Sequence, residues 1–297
     1  MLRIAYLGPR GTYSEEAALQ HAGQAAATSG EPTGPGHDQR AAAPPGESSR
    51  PVPFTSIPAA VRAVEEGAAD EAVVPVENSL EGIVTHTADL LVHHTPLKIR
   101  GEIVLPIHHC LVLQSGVGRR DVQVVYSHPQ ALAQCRGYLS RHLPGAEPVA
   151  SLSTAGAVRD MEGSDRPAAA ISSVRAAGIF GADVADRGIE DVATNKTRFV
   201  VLAERDADPT GRDKTSICFD FSEDAAGTLH GALGELASRG INMLRIESRP
   251  DRRSLGRYIF LIDLEGHRTD GVVREALQGI RARATMFRIL GAYPRAG

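Results

Sequence analysis

The sequence predicts an α/β protein in two parts: a doubly wound module over residues 1–203, and a βαββαβ domain of ferredoxin-like order over residues 214–297. A polar segment at 204–213, containing Pro209 and Gly211, reads as the linker between them. Three observations carry this. Short apolar runs recur through the first part, each followed by a hydroxyl or amide residue and then by a helix-spaced apolar pattern. After Asp213 that rhythm gives way to alternating strands around two helices. At 297 residues, with 42% hydrophobic and 23% charged, the chain is long and apolar enough for two cores.

Arg3–Leu7 reads as a buried strand and Gly8-Pro9-Arg10-Gly11 as a turn. Thr12-Tyr13-Ser14-Glu15 then has the form of a capping box opening a helix through Leu19. From about Gly23 to Pro51 the chain is rich in Ala, Gly, Pro and Ser without apolar periodicity. Such a stretch cannot bury enough surface to offset its ordering entropy, so it is predicted to be a disordered surface insertion. Ser56 is placed to cap a helix with Pro58 in its first turn. Glu71–Val76 is a strand leading into Glu77-Asn78-Ser79, and Ile83–His94 a helix with Leu90 and Leu91 inward. Two strands, or one bent one, follow at Ile103–Leu105 and Cys110–Leu113. Val122–Tyr126 is a strand before Ser127-His128-Pro129-Gln130 and a helix to about His142. The unit repeats as Glu147–Leu152, Ser153-Thr154 and the helix Ala155–Met161, then as Ala168–Ile171, Ser172-Ser173 and the helix Val174–Phe180.

Beyond the linker, Lys214–Phe221 alternates with Ile217, Phe219 and Phe221 on one face. Thr228–Arg239 carries the stripe Leu229, Leu233, Leu236 and Ala237 and stops at Gly240. Strands at Ile241–Ser248 and Arg257–Leu264, a helix from Gly271 to Arg283 and a strand from Thr285 to Tyr293 complete the domain.

In doubly wound folds ligands bind at the carboxyl ends of strands. There this chain repeatedly places polar caps: Thr12, Asn78-Ser79, Ser127-His128, Ser153-Thr154 and Ser172-Ser173. Each helix start offers free N–H groups and partial positive charge, so several facing one cleft would cradle a small carboxylate or phosphate. A net charge of −4 without blocks of like charge gives no nucleic-acid or membrane-surface footprint. The Gly8–Thr12 turn lacks the endings of a phosphate-binding loop or a dinucleotide fingerprint. The pairs His93-His94 and His108-His109 lack metal-site spacing and read as surface or cap residues, so neither metal nor cofactor is expected. Three dispersed cysteines and the short, interrupted apolar N-terminus imply a reducing, cytoplasmic setting.

Five blocks together resemble the prephenate dehydratase family: Tyr6–Ser14 (YLGPRGTYS), Val74–Gly82 (VPVENSLEG), Tyr126–Leu132 (YSHPQAL), Ser153-Thr154-Ala155 and Asn195–Phe199 (NKTRF). The last domain is similar to that family's ACT domain, including Ile246-Glu247-Ser248-Arg249-Pro250. The resemblance implies a two-lobed, periplasmic-binding-protein-like catalytic module with the site between its lobes. It also implies phenylalanine feedback through the ACT domain, and a homodimer or homotetramer. No chorismate mutase module precedes the first strand, which points to the monofunctional form. Around Gly227 and Leu229 the usual ACT pattern is altered, with Thr228 and His230 polar.

The implied reaction removes water and CO2 from prephenate to give phenylpyruvate, on the route to L-phenylalanine. The resemblance assigns catalysis to Thr197, Arg198 and Phe199: hydrogen bonding or protonation of the leaving hydroxyl, binding of a carboxylate, and exclusion of water. Thr12, Asn78, Ser79, Ser127, Gln130 and Thr154 are expected to line the cleft. Gly227, Leu229, Glu247, Ser248, Arg249 and Pro250 are expected to bind the effector. An arogenate dehydratase is the nearest competitor. A solute-binding protein would carry an export signal, and a sensing regulator a basic recognition helix, neither of which the sequence shows.

Overall fold

The computed structural model describes residues 1–28, 49–222, 225–251 and 257–296. In chain order the first elements are β1 (Leu2–Leu7), α1 (Tyr13–Thr28), β2 (Ser49–Phe54), α2 (Ile57–Glu65), β3 (Glu71–Asn78), β4 (Gly82–Ile83) and α3 (Thr85–Asp89). A π-helical turn (Leu90–His94) leads to β5 (Lys98–Pro106), β6 (Cys110–Leu113), β7 (Val124–Ser127), α4 (Pro129–Gln134), α5 (Arg136–His142) and β8 (Glu147–Ala150). Then come α6 (Thr154–Glu162), β9 (Ala168–Ser172), α7 (Val174–Phe180), β10 (Asp183–Arg187) and β11 (Lys196–Ala203). The chain ends with β12 (Asp213–Asp220), α8 (Thr228–Ala237), β13 (Met243–Pro250), β14 (Tyr258–Glu265), α9 (Gly271–Arg283) and β15 (Met286–Pro294). Among the described residues no helix is long and apolar enough to cross a membrane.

Two compact units result, residues 1–84 with 104–199, and residues 85–103 with 200–297. Two sheets are formed by the strands β1 to β11. One has the order β2-β1-β3-β11-β5, with β4 on β3, and the other β10-β6-β9-β7-β8. In the second sheet β7 runs parallel to β8 and β9, whereas β6 is antiparallel to both β9 and β10. Every residue of β9 is buried, because helices cover both of its faces. Ala168 and Ala170 meet Ala155, Val158 and Ala176 of α6 and α7, while Ala169 and Ile171 meet Ala131, Cys135 and Tyr138. The run of small residues lets helices approach this strand closely.

The second unit contains the sheet β13-β14-β12-β15, all antiparallel, with α8 and α9 packed on it. This is the predicted βαββαβ order. Ile217, Phe219 and Ile262 from the sheet pack with Leu236, Leu277 and Ile280 from the helices.

Capping explains most helix starts. Ser56, Ser153 and Ser173 accept the N–H groups of Ala59, Gly156 and Ala176, each such cap contributing about 1 kcal/mol. The box at α1 differs from its predicted form. Glu15 N–H reaches Thr12 Oγ1, but the Glu15 carboxylate takes the Gly11 N–H at 2.7 Å.

The predicted insertion at 23–51 is corrected at both ends. α1 continues to Thr28, and β2 begins at Ser49, pairing in parallel with β1. Residues 29–48 lie outside the described residues. β2 escaped prediction because it carries Pro51 and Pro53, which only an edge strand tolerates. β10 was also missed, as its polar sequence suits a half-exposed edge. The predicted helix at Ile83–His94 is divided between α3 and the π turn.

Gly11 marks the close approach of the turn after β1 to α6 and α7. Gly11 has φ +88°, and a Cβ there would stand 3.2 Å from Ala176 and 3.3 Å from Ala155. Its carbonyl accepts the Ser173 hydroxyl at 3.2 Å. Gly11→Ala is therefore expected to cost at least about 1–2 kcal/mol from the left-handed backbone alone. Urea denaturation measures this, and an unchanged midpoint would refute the close approach.

Candidate functional site

A cavity of about 930 Å³ opens within the first unit at the ends of its strands. β1 delivers Leu7 to Ser14, and β3 delivers Asn78. From the other sheet, β7 leads to His128 and Gln130, and β8 to Leu152, Ser153 and Thr154. The start of β11 adds Asn195, Thr197 and Phe199.

The centre of the site is a hydrogen bond of fixed direction. Asn78 Oδ1 accepts the main-chain N–H groups of Leu80 (3.0 Å) and Glu81 (3.2 Å). Peptide N–H groups only donate, so the other end of this amide must be its NH2. That NH2 donates to Thr197 Oγ1 and to Asn195 Oδ1, each at 2.9 Å. Thr197 Oγ1 is thus an acceptor for Asn78, and its own proton remains available to a group in the cavity.

Asn195 is 1% exposed and joins this pair to the far wall. Its Oδ1 also receives the Ser79 hydroxyl (3.3 Å), and its NH2 donates to Gln134 Oε1 (3.1 Å). His109 Nε2 lies 3.1 Å from the same Gln134 oxygen. Burial lowers the His109 pKa, only partly offset by the Gln134 bond, and keeps the ring neutral.

Predicted site residues divide accordingly. Thr12, Asn78, Gln130, Thr154, Thr197 and Phe199 line the cavity. Three others do not. Ser127 is fully buried and donates to the Ile171 carbonyl at 2.7 Å, which makes it a structural tie between β7 and β9. Ser79 stands behind the wall, accepting the Lys196 N–H at 2.9 Å while its proton goes to Asn195. Arg198 alternates away from Thr197 and Phe199, as strand geometry requires, and its guanidinium meets Glu77 at 3.2 Å. The predicted Ser172-Ser173 cap is buried as well, bonded to the Thr154 and Gly11 carbonyls.

Positive charge in the cavity comes instead from Arg10 and Arg159. Arg159 lies over the Phe180 ring at 4.9 Å. The starts of α1 and α6 add free N–H groups and the positive ends of their dipoles. His128 caps α4 by accepting the Gln130 N–H (3.4 Å), and burial lowers its pKa. Beneath the β1 turn, burial would raise the Glu15 pKa, but Gly11 N–H and Arg175 outweigh it and hold the carboxylate ionised.

Asn195, Gln134, His109, Arg10 and Arg159 were not predicted as site residues. Two of them had a signal. Asn195 precedes Thr197 by one strand period, and Gln134 follows Gln130 by one helix turn. His109, read as a surface or cap residue, is 3% exposed, and nothing in its local sequence distinguishes it from His108.

The predicted effector residues lie in the second unit. Gly227 (φ 88°) starts α8, and Leu229 packs on the core beneath. Glu247, Ser248, Arg249 and Pro250 lie on β13. The Arg249 guanidinium is held by Asp89 at 2.8 Å.

Comparison with known proteins agrees with this architecture. The family model described as prephenate dehydratase matches residues 4–207, and that for the ACT domain residues 216–282. The bifunctional chorismate mutase/prephenate dehydratase of Neisseria gonorrhoeae is 40% identical over 296 residues, 99% of this chain and 75% of its own length. The crystal structure of prephenate dehydratase from Arthrobacter aurescens in complex with L-Phe superposes with a TM-score of 0.85 at 35% identity, covering 99% of this chain and 90% of its own. A structure described as GqqA, a novel type of quorum quenching acylase, has a TM-score of 0.81 at 31% identity over 99% of this chain and 98% of its own.

Proposed function

Because this chain belongs to the prephenate dehydratase family, we propose that it converts prephenate to phenylpyruvate, CO2 and water, under regulation by L-phenylalanine. The observation that carries the mechanism is the direction of the Asn78–Thr197 hydrogen bond. In this reaction the C1–carboxylate bond breaks and CO2 departs. Its electron pair enters the ring, and the C4–oxygen bond breaks as the ring becomes aromatic. The leaving oxygen gathers negative charge and takes up one proton to leave as water. Thr197, with its oxygen already serving as an acceptor, presents a proton to that oxygen. A threonine hydroxyl is a weak acid, so orientation and preorganised dipoles carry most of the acceleration.

The two substrate carboxylates need cations and N–H donors. We assign them to Arg10, Arg159 and the starts of α1 and α6, rather than to Arg198. Arg198 supports the site from behind by holding Glu77, next to Asn78. Phe199, at 1% exposure, closes the apolar floor and keeps water from the ring.

One structural relative is described as a quorum quenching acylase, and acyl transfer through a covalent intermediate needs a nucleophile activated by a base. Among the described residues the cavity serines Ser14 and Ser153 make no hydrogen bond to a histidine, and Ser153 is occupied in capping Gly156. Neither serine is therefore set up as a histidine-activated nucleophile.

In this reading residues 1–203 are the catalytic module, 204–213 the linker and 214–297 the regulatory ACT domain, a division the family-model spans support. The relative crystallised with L-Phe supports phenylalanine as effector. Gly227, Leu229 and the Glu247–Pro250 segment are its proposed contacts, with the Arg249 guanidinium positioned by Asp89. Assembly as a homodimer or homotetramer belongs to the same proposal, since β13 ends its sheet. A cytoplasmic setting is supported by three free, buried cysteines.

Steady-state kinetics test the catalytic assignment. Thr197→Ala is expected to lower kcat by about 10²–10⁴ with little change in KM, and Thr197→Ser to restore part of it. Normal turnover by the alanine variant would reduce Thr197 to a packing residue. Run on both compounds, the same assay should give a higher kcat/KM for prephenate than for arogenate; the reverse order would replace the substrate. Isothermal titration with L-phenylalanine should show saturable binding that Arg249→Ala weakens. No heat at millimolar effector would remove the regulatory part.

A further inference from the structure

We infer that Asn195 is a positioning residue for this reaction: it locks the Asn78 amide in the orientation that leaves the Thr197 proton available, as the middle of a one-way amide relay ending on a single tautomer of His109. The inference rests on the assignment of Thr197 as donor to the leaving oxygen.

The relay has no freedom of direction, because main-chain donors fix it at two points. Leu80 and Glu81 N–H groups take Asn78 Oδ1, as described. Independently, the Lys196 N–H donates to Ser79 Oγ at 2.9 Å, which turns the Ser79 proton outward. Asn78 and Ser79 therefore both donate, and both aim at one atom, Asn195 Oδ1. The opposite end of Asn195 must then be its NH2, and this donates to Gln134 Oε1. With its oxygen turned toward Asn195, Gln134 offers His109 an acceptor as well, so His109 Nε2 must carry the proton. Nδ1 is left with a lone pair, and that atom is buried with no hydrogen-bond partner among the described residues. A buried N–H without an acceptor costs more than a buried lone pair, which adds to the preference for this tautomer.

Asn195 suits the task because its side chain, not its main chain, does the orienting. The Asn195 carbonyl already accepts the Ile107 N–H at 2.9 Å, and the Ser79 N–H is bonded to the Lys196 carbonyl at 2.8 Å. The chain path around Thr197 is therefore secured without the Asn195 amide. What the amide adds is an acceptor that only a donor can face. Without it, the Asn78 NH2 loses one of two partners and its hold on Thr197 loosens. A merely structural buried asparagine would leave the tautomer of a histidine two residues along the relay unaffected.

The test uses the full-length protein labelled with [15N]histidine, with the His109 ring assigned by comparison with His109→Gln. In the wild type, His109 should appear at neutral pH as the neutral ring protonated on Nε2. Detection of the Nδ1–H tautomer or of imidazolium overturns the relay, and this reading needs no variant of the buried asparagine to fold. In Asn195→Asp the acceptor for Asn78 and Ser79 is kept, but Gln134 now meets an oxygen. Its amide turns, offers N–H to both neighbours, and moves the His109 proton to Nδ1. Unchanged His109 shifts in a folded Asn195→Asp protein also overturn it. Kinetically, kcat should fall about 10²-fold in Asn195→Leu, at near-constant KM, and by less in Asn195→Asp. If Thr197→Ala is impaired while folded Asn195→Leu turns over at the wild-type rate, only the positioning role fails. Normal turnover by Thr197→Ala removes the reading on which it rests.

Discussion

The site depends on which way one amide faces. Two peptide N–H groups, those of Leu80 and Glu81, bind the Asn78 oxygen and so decide that its NH2 points at Thr197. A hydroxyl can both donate and accept, and in water it does so indifferently. In the cavity wall the Asn78 NH2 takes the Thr197 oxygen as its acceptor, which leaves the hydroxyl proton for another partner. In the mechanism proposed above, this hydroxyl is the preorganised donor at the oxygen where charge develops.

The scaffold serves this constraint at long range. Asn78 ends β3, and Thr197 lies at the start of β11, so the pairing of these strands sets their separation. On the other side, α4 contributes Gln134 and the loop before β6 contributes His109. Gly11, lying close against Ala155 and Ala176, brings the β1 turn to the start of α6. The small-residue run of β9 lets helices pack tightly on both of its faces.

Local features were legible in the sequence and nonlocal ones were not. Ser56, Ser153 and Ser173 declared their helices because an N-cap acts on the two or three residues that follow. The alternation of β12 and the stripe on α8 marked the C-terminal domain for the same reason. Sequence pattern did not show which way individual side chains point. Arg198 carries the group expected to bind a carboxylate, yet the two-residue strand period sends it to the face opposite Thr197 and Phe199. Ser127 has the residue type of a ligand contact, but the Ile171 carbonyl claims its hydroxyl. Asn195 and His109 became visible only when elements far apart in sequence met through Gln134. Sequence pattern locates polar residues at strand ends; only packing shows which of them face the cavity.

The central claim is that Asn78 acts on catalysis through the Thr197 hydroxyl. A double-mutant cycle on kcat measures this most directly, using Thr197→Ala, Asn78→Asp and the double variant with prephenate. A carboxylate at position 78 would draw the Thr197 proton to itself, so each single change disables the same donor. Residues acting as one unit are strongly non-additive. The account predicts that the double variant is no slower than the worse single variant. Losses that multiply, as independent contributions would, contradict it.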